Sequence, residues 1–137
     1  MAMVIDSTRL LTYSATLRRT ASCVAEARGI VRVALAAWGL DELAEDGALV
    51  VSELAGNAVR HTRCRNVGVA VVRTGPGAVR ICVTDRSHAR PVPRRAGDGE
   101  VCGRGLLVVE ALTARWGTDA LPRGKRVWGE LSRPDTG

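Results

Sequence analysis

The chain has 137 residues, of which 46% are apolar and 25% charged, and a net charge of +6. That is the size of one domain with its own core, and it excludes a disordered chain, a collagen-like repeat and a small disulfide scaffold. Aromatic residues make up only 3%, with no Phe, so the core must come from Val, Leu, Ile and Ala.

The pattern begins with a short strand expected over residues 9–16. From Ala21 to Trp38, the apolar positions Val24, Ala27, Val31, Ala34 and Trp38 recur at three- and four-residue spacing, which predicts an amphipathic helix ended by Gly39. Asp41 then reads as the N-cap of a second helix, with Glu42, Glu45 and Asp46 at the positive end of its dipole. That helix runs through Leu43, Val50, Leu54 and Ala58 to about His61. Two β-branched runs follow, Val67–Arg73 and Val79–Thr84, joined by Thr74-Gly75-Pro76-Gly77, which is the signature of a hairpin. From Arg86 to Cys102 the sequence turns to Pro, Gly and Arg, a long loop of the kind that usually carries function. Gly103-Arg104-Gly105 opens an apolar helix over Leu106–Ala114, and two strands follow near 115–120 and 126–131. The whole chain, 1–137, reads as a single α+β domain with helices on one face of a mainly antiparallel sheet.

The cysteines, Cys23, Cys64, Cys82 and Cys102, lie too far apart for a zinc ribbon or finger and read as free thiols. No secretory signal and no apolar run of membrane-spanning length is visible, so a cytoplasmic protein without a membrane partner is expected. Nineteen of the twenty basic residues are Arg, a residue whose planar fork binds phosphate bidentately. Basicity suggests a polyanionic partner. The three Trp and one Tyr form no run of alternating aromatic and basic residues, which argues against direct nucleic-acid binding.

Three clusters can carry chemistry. Glu53, Asn57 and Arg60 are spaced i, i+4, i+7 and share a helix face beside the apolar stripe. A carboxylate and an amide oxygen there suit a hydrated divalent cation and a water, although a plain solvated face has the same spacing. Asp85 ends an apolar strand, where it either accepts from an amino or hydroxyl group or simply starts a turn. Gly103-Arg104-Gly105-Leu106 offers free N–H groups and a helix dipole to phosphate, without completing a GxGxxG or GxxxxGK[ST] fingerprint.

Order and spacing say more than each cluster alone. LVVSELAGNAVRHT at 49–62, VTDRS at 83–87 and GRGLLVVEAL at 103–112 resemble the N, G1 and G2 boxes of the GHKL ATPase superfamily. Within it, the ELxxNAxRH form is similar to anti-sigma-factor serine kinases and stand-alone ATP-binding regulators. The resemblance implies a two-layer α/β sandwich and a set of roles. Asn57 would hold Mg²⁺ bridging the phosphates of ATP, and Glu53 would be the general base. Arg60 falls within the same nucleotide-binding face. Asp85 would read the adenine amino group, Gly103, Arg104, Gly105 and Leu106 would cradle phosphates, and 86–102 would form a lid. The function implied is Mg-ATP-dependent phosphorylation of a serine or threonine on an anti-anti-sigma-like protein, with a sigma factor and a second copy of the chain as further partners. The G1 box, usually DxGxG, reads Asp85-Arg86-Ser87-His88-Ala89 here. That departure keeps an alternative open, a degenerate or nucleotide-independent protein–protein regulator.

Overall fold

A computed structural model describes residues 2–5, by backbone alone, together with 11–86 and 107–134. The elements are β1 (Ala2–Ile5), β2 (Leu11–Arg18), α1 (Cys23–Ala37), a 3₁₀ turn (Asp41–Leu43), α2 (Ala44–His61), β3 (Asn66–Gly75) and β4 (Ala78–Asp85). Residues 107–112 are helical (α3), and β5 (Arg115–Ala120) and β6 (Lys125–Ser132) complete the chain. The strands form one six-stranded sheet in the order β1-β2-β3-β4-β6-β5, and every pairing is antiparallel. This is the helix-on-sheet, α+β architecture of the GHKL type that the sequence predicts.

Strict alternation sets the two sheet faces. Val67, Val69 and Val71 on β3 and Val79, Ile81 and Val83 on β4 are all buried, because their side chains point to the helices. From the helices, Ala27, Ile30, Val31, Ala34 and Leu35 on α1 and Val50, Val51, Leu54 and Ala55 on α2 meet them. At about 25 cal/mol per Å² of apolar surface, this single Val/Leu/Ile/Ala layer is the main favourable term in folding. α1 and α2 approach closely at Gly47, where an added Cβ would lie 2.9 Å from Val31 Cγ1.

The outer sheet face is polar. Glu130 on β6 accepts from Arg80 Nη2 at 2.8 Å and from Arg115 Nε at 2.7 Å, and Arg80 also sits 4.3 Å from the Trp128 ring centroid, a cation–π contact. The Arg115 hydrogen bond and its neighbour Arg80 hold the Glu130 carboxyl below its ordinary pKa against a smaller opposing push from burial.

Three boundaries differ from expectation. The first predicted strand, 9–16, lies two residues later as β2, and β1 precedes it as an edge strand. Asp41 does not cap the second helix: it begins a 3₁₀ turn, and α2 starts behind Leu43 with no side-chain cap hydrogen bond. Burial of Leu40 and Leu43 pulls this connection onto the core in place of a capped start. The helix predicted over Leu106–Ala114 is helical at 107–112, and Leu106 lies outside the described residues. Cys23, Cys64 and Cys82 are free, and burial raises the thiol pKa of Cys23 and Cys82, so both favour the inert protonated form. No helix among the described residues is long and apolar enough to cross a membrane.

Candidate functional site

The site forms where α2 and β4 finish side by side. Asp85 alternates in phase with Val79, Ile81 and Val83, so its carboxylate enters the layer between sheet and helices, only 5% exposed. A buried carboxylate needs donors, and Thr62, the residue that ends α2, supplies one: Thr62 Oγ1 donates to Asp85 Oδ1 at 2.5 Å. The same Oγ1 accepts the backbone N–H of Cys64 at 3.0 Å, which leaves the hydroxyl proton for Asp85. Arg19 Nη1 donates to the Thr62 carbonyl at 3.0 Å, tying β2 into the same corner. Thr62 is itself 3% exposed and is a site residue that pattern reading passed over. A polar residue one step beyond the helix, with nowhere to go but inward, was the available signal.

The turn joining β5 to β6 packs under this corner. Gly124 has φ +90, and a Cβ there would lie 1.8 Å from the Asp85 carbonyl oxygen. Only glycine lets that backbone come so near. Lys125 pairs with Asp85 in the β4–β6 register, so the two share the inner face. Arg126 pairs with Thr84 and belongs to the outer face, where its Nη2 lies 3.2 Å from Asp119 Oδ2.

Glu53, Asn57 and Arg60 lie on one flank of α2. Val50 faces Gly129 of β6, which Val109 of α3 also approaches, and Asn57 is two helical turns beyond Val50 on that side. Glu53 and Asn57 are half-buried, at the border of core and solvent, and Arg60 is exposed. Arg60 Nη2 donates to Asn57 Oδ1 at 2.6 Å, a short charge-assisted bond. The amide oxygen thus already serves a cation. Glu53 stands one turn, about 6 Å, earlier on the same flank.

The structure therefore brings Glu53, Asn57, Arg60 and Asp85 around the C-terminal half of α2. Gly103, Arg104, Gly105 and Leu106, like Ser87 and His88, lie outside the described residues. Oxygen donors are what Mg²⁺ prefers, and Asn57 with Glu53 fits an ion that takes its remaining ligands from phosphate and water. No group of three or more His, Cys, Asp or Glu able to hold a metal occurs among the described residues.

Known proteins bear on this geometry in two ways. A solved structure of the RsbU and RsbW domains of Rv1364c from Mycobacterium tuberculosis is similar, with a TM-score of 0.67 and 26% identity. The match covers 90% of this chain and 33% of that one, so the chain spans about a third of its length. No curated protein matches the sequence. Residues 17–128 match the histidine kinase-like ATPase domain, and this stretch contains α1, α2, Asn57, Asp85 and the Gly124 turn. The chain belongs to the histidine kinase-like ATPase domain family.

Proposed function

We propose that the protein is an ATP-dependent regulatory serine/threonine kinase of the anti-sigma type. The observation that supports this best is the pairing of a buried, oriented Asp85 with a Glu53/Asn57 flank at the end of the same helix. Asp85, with Thr62 fixing one oxygen, presents an acceptor suited to the exocyclic amino group of adenine; guanine carries a carbonyl at that place and is refused. Asn57 would hold Mg²⁺, which when bound neutralises phosphate charge. Arg60 sits ready to turn its guanidinium from Asn57 Oδ1 toward the same phosphates. Glu53 accepts the proton of the attacking hydroxyl. The phosphate cradle at Gly103, Arg104, Gly105 and Leu106 remains part of this proposal on sequence grounds.

The substrate in this reading is an anti-anti-sigma-like protein carrying the acceptor serine or threonine, with a sigma factor as second partner and a homodimer as the working form. The setting is the cytoplasm, without membrane or direct nucleic-acid contact. The likeness to a structure of RsbU and RsbW domains supports a partner-switching role.

The test is Mg-ATP affinity by calorimetry. Asn57→Ala removes the amide oxygen and should weaken binding by about 2 kcal/mol, roughly 30-fold, the scale of a lost contact to a charged group. Parent-like affinity in that variant would remove Asn57 from the metal site. A parent that binds no ATP at all would favour the nucleotide-independent regulator.

A further inference from the structure

Chain direction gathers six arginines at one end of the sheet. α1 leaves the sheet end where β2 and β4 finish, and α2 returns to it. That end therefore collects Arg18 and Arg19 after β2, Arg63 and Arg65 before β3, Arg86 after β4 and Arg123 in the β5–β6 turn. Contacts hold them there: Arg18 pairs with Asn66, the Arg19 N–H donates to the Arg65 carbonyl at 2.7 Å, and the Gly124 turn abuts the Asp85–Arg86 backbone. All six are exposed. The ion pairs among the described residues involve Arg80, Arg115, Arg126 and Arg133 and none of these six. Among the described residues the acids at this end are Asp85, which is buried, Asp119, 3.2 Å from Arg126, and the exposed Glu26, which accepts from Ser22 Oγ at 3.0 Å. At the opposite end the exposed acids Asp41, Glu42, Glu45 and Asp46 share the surface with Arg73 beside the β3–β4 turn and with Arg133, whose Nη1 lies 3.6 Å from Glu42.

We infer that this arginine rim is a docking surface for an acidic helix of a protein partner, laid across the ends of β2, β3, β4 and β6. Adjacent strands are about 4.8 Å apart, so the guanidinium-bearing segments step across the sheet at that interval. Acids at i, i+4 and i+7 of a helix present carboxylates about 5–6 Å apart along one face. The two spacings match over two to three turns. An Arg fork donates bidentately to a carboxylate, Arg19 keeping one Nη1 bond to the Thr62 carbonyl, and neutralising six clustered like charges relieves their mutual repulsion. A nucleic-acid strand would need stacking platforms, yet Tyr13, Trp38, Trp116 and Trp128 all sit away from this end. The surface borders Asp85 and does not depend on nucleotide turnover, so it stands or falls separately from the kinase reading.

The probe is a labelled 15-residue helical peptide with four Glu on one face, read by fluorescence anisotropy at 50 and 200 mM salt. Two charge-matched variants are compared, R63S/R65S at the rim and R28S/R32S on α1, with melting temperatures confirming that both fold. Docking at the rim predicts at least tenfold weaker binding for R63S/R65S, change within twofold for R28S/R32S, and loss of affinity at the higher salt. Equal weakening in both variants would reduce the effect to net charge and overturn the site. So would parent-level binding in R63S/R65S, or absence of peptide binding in the parent. A ten-nucleotide single strand that binds at least tenfold more tightly, and is lost in R63S/R65S, would reassign the rim to nucleic acid. Parent dimers or larger species that R63S/R65S abolishes would reassign it to a second copy of this chain, whose acidic end offers the complement.

Discussion

Glu53→Gln leaves Mg-ATP affinity within about twofold and slows phosphoryl transfer at least ~100-fold, the range of general-base catalysis. The substitution keeps size and half-burial while removing the group that takes a proton. Glu53 sits one turn from Asn57 on the flank of α2 that faces β6 and α3, so a bound nucleotide's terminal phosphate and an incoming hydroxyl would meet there. Because Gln at this position still fits against the core margin, the variant should fold like the parent. The measurement is transfer of label from γ-labelled ATP to water or to an acceptor protein, at saturating nucleotide. Equal rates for variant and parent would strip Glu53 of the base role while leaving the binding site intact.

Gly124→Ala destabilises the fold by about 3 kcal/mol, a combination of left-handed backbone cost and steric clash. With φ +90 and a Cβ position 1.8 Å from the Asp85 carbonyl oxygen, the turn cannot keep its place once a methyl group is added. The backbone that must yield carries Asp85 itself, so nucleotide affinity falls along with stability. For a chain of this size the melting temperature should drop roughly 10 °C. A parent-like melting temperature would mean that the turn does not pack against the end of β4.

Much of this arrangement could be read before folding. The helix stripes, the β3–β4 hairpin and the shared flank of Glu53, Asn57 and Arg60 follow from periods of 3.6 and 2, which are local properties. The core positions Val50, Leu54 and Ala58 were visible for the same reason, and all are buried. What escaped is non-local. β1 has four residues and gains its ladder only by pairing with β2. The start of α2 obeys the burial of Leu40 and Leu43 and not the capping preference of Asp41. Thr62 finds Asp85 across 23 residues, and Gly124 looks like any turn glycine until β4 lies beside it. Arg126, one step from Lys125, falls on the outer face by strand parity alone.

Thermal unfolding of the whole chain with millimolar Mg-ATP, Mg-ADP and Mg-GTP tests adenine-nucleotide binding at Asp85. A ligand bound only to the folded state at about 100 times its Kd adds about 2.7 kcal/mol, several degrees for this length. An upward shift is expected with both adenine nucleotides and none with Mg-GTP, because Asp85, held by Thr62, would accept from the adenine amino group. No shift with any of the three, or equal shifts with ATP and GTP, would contradict it.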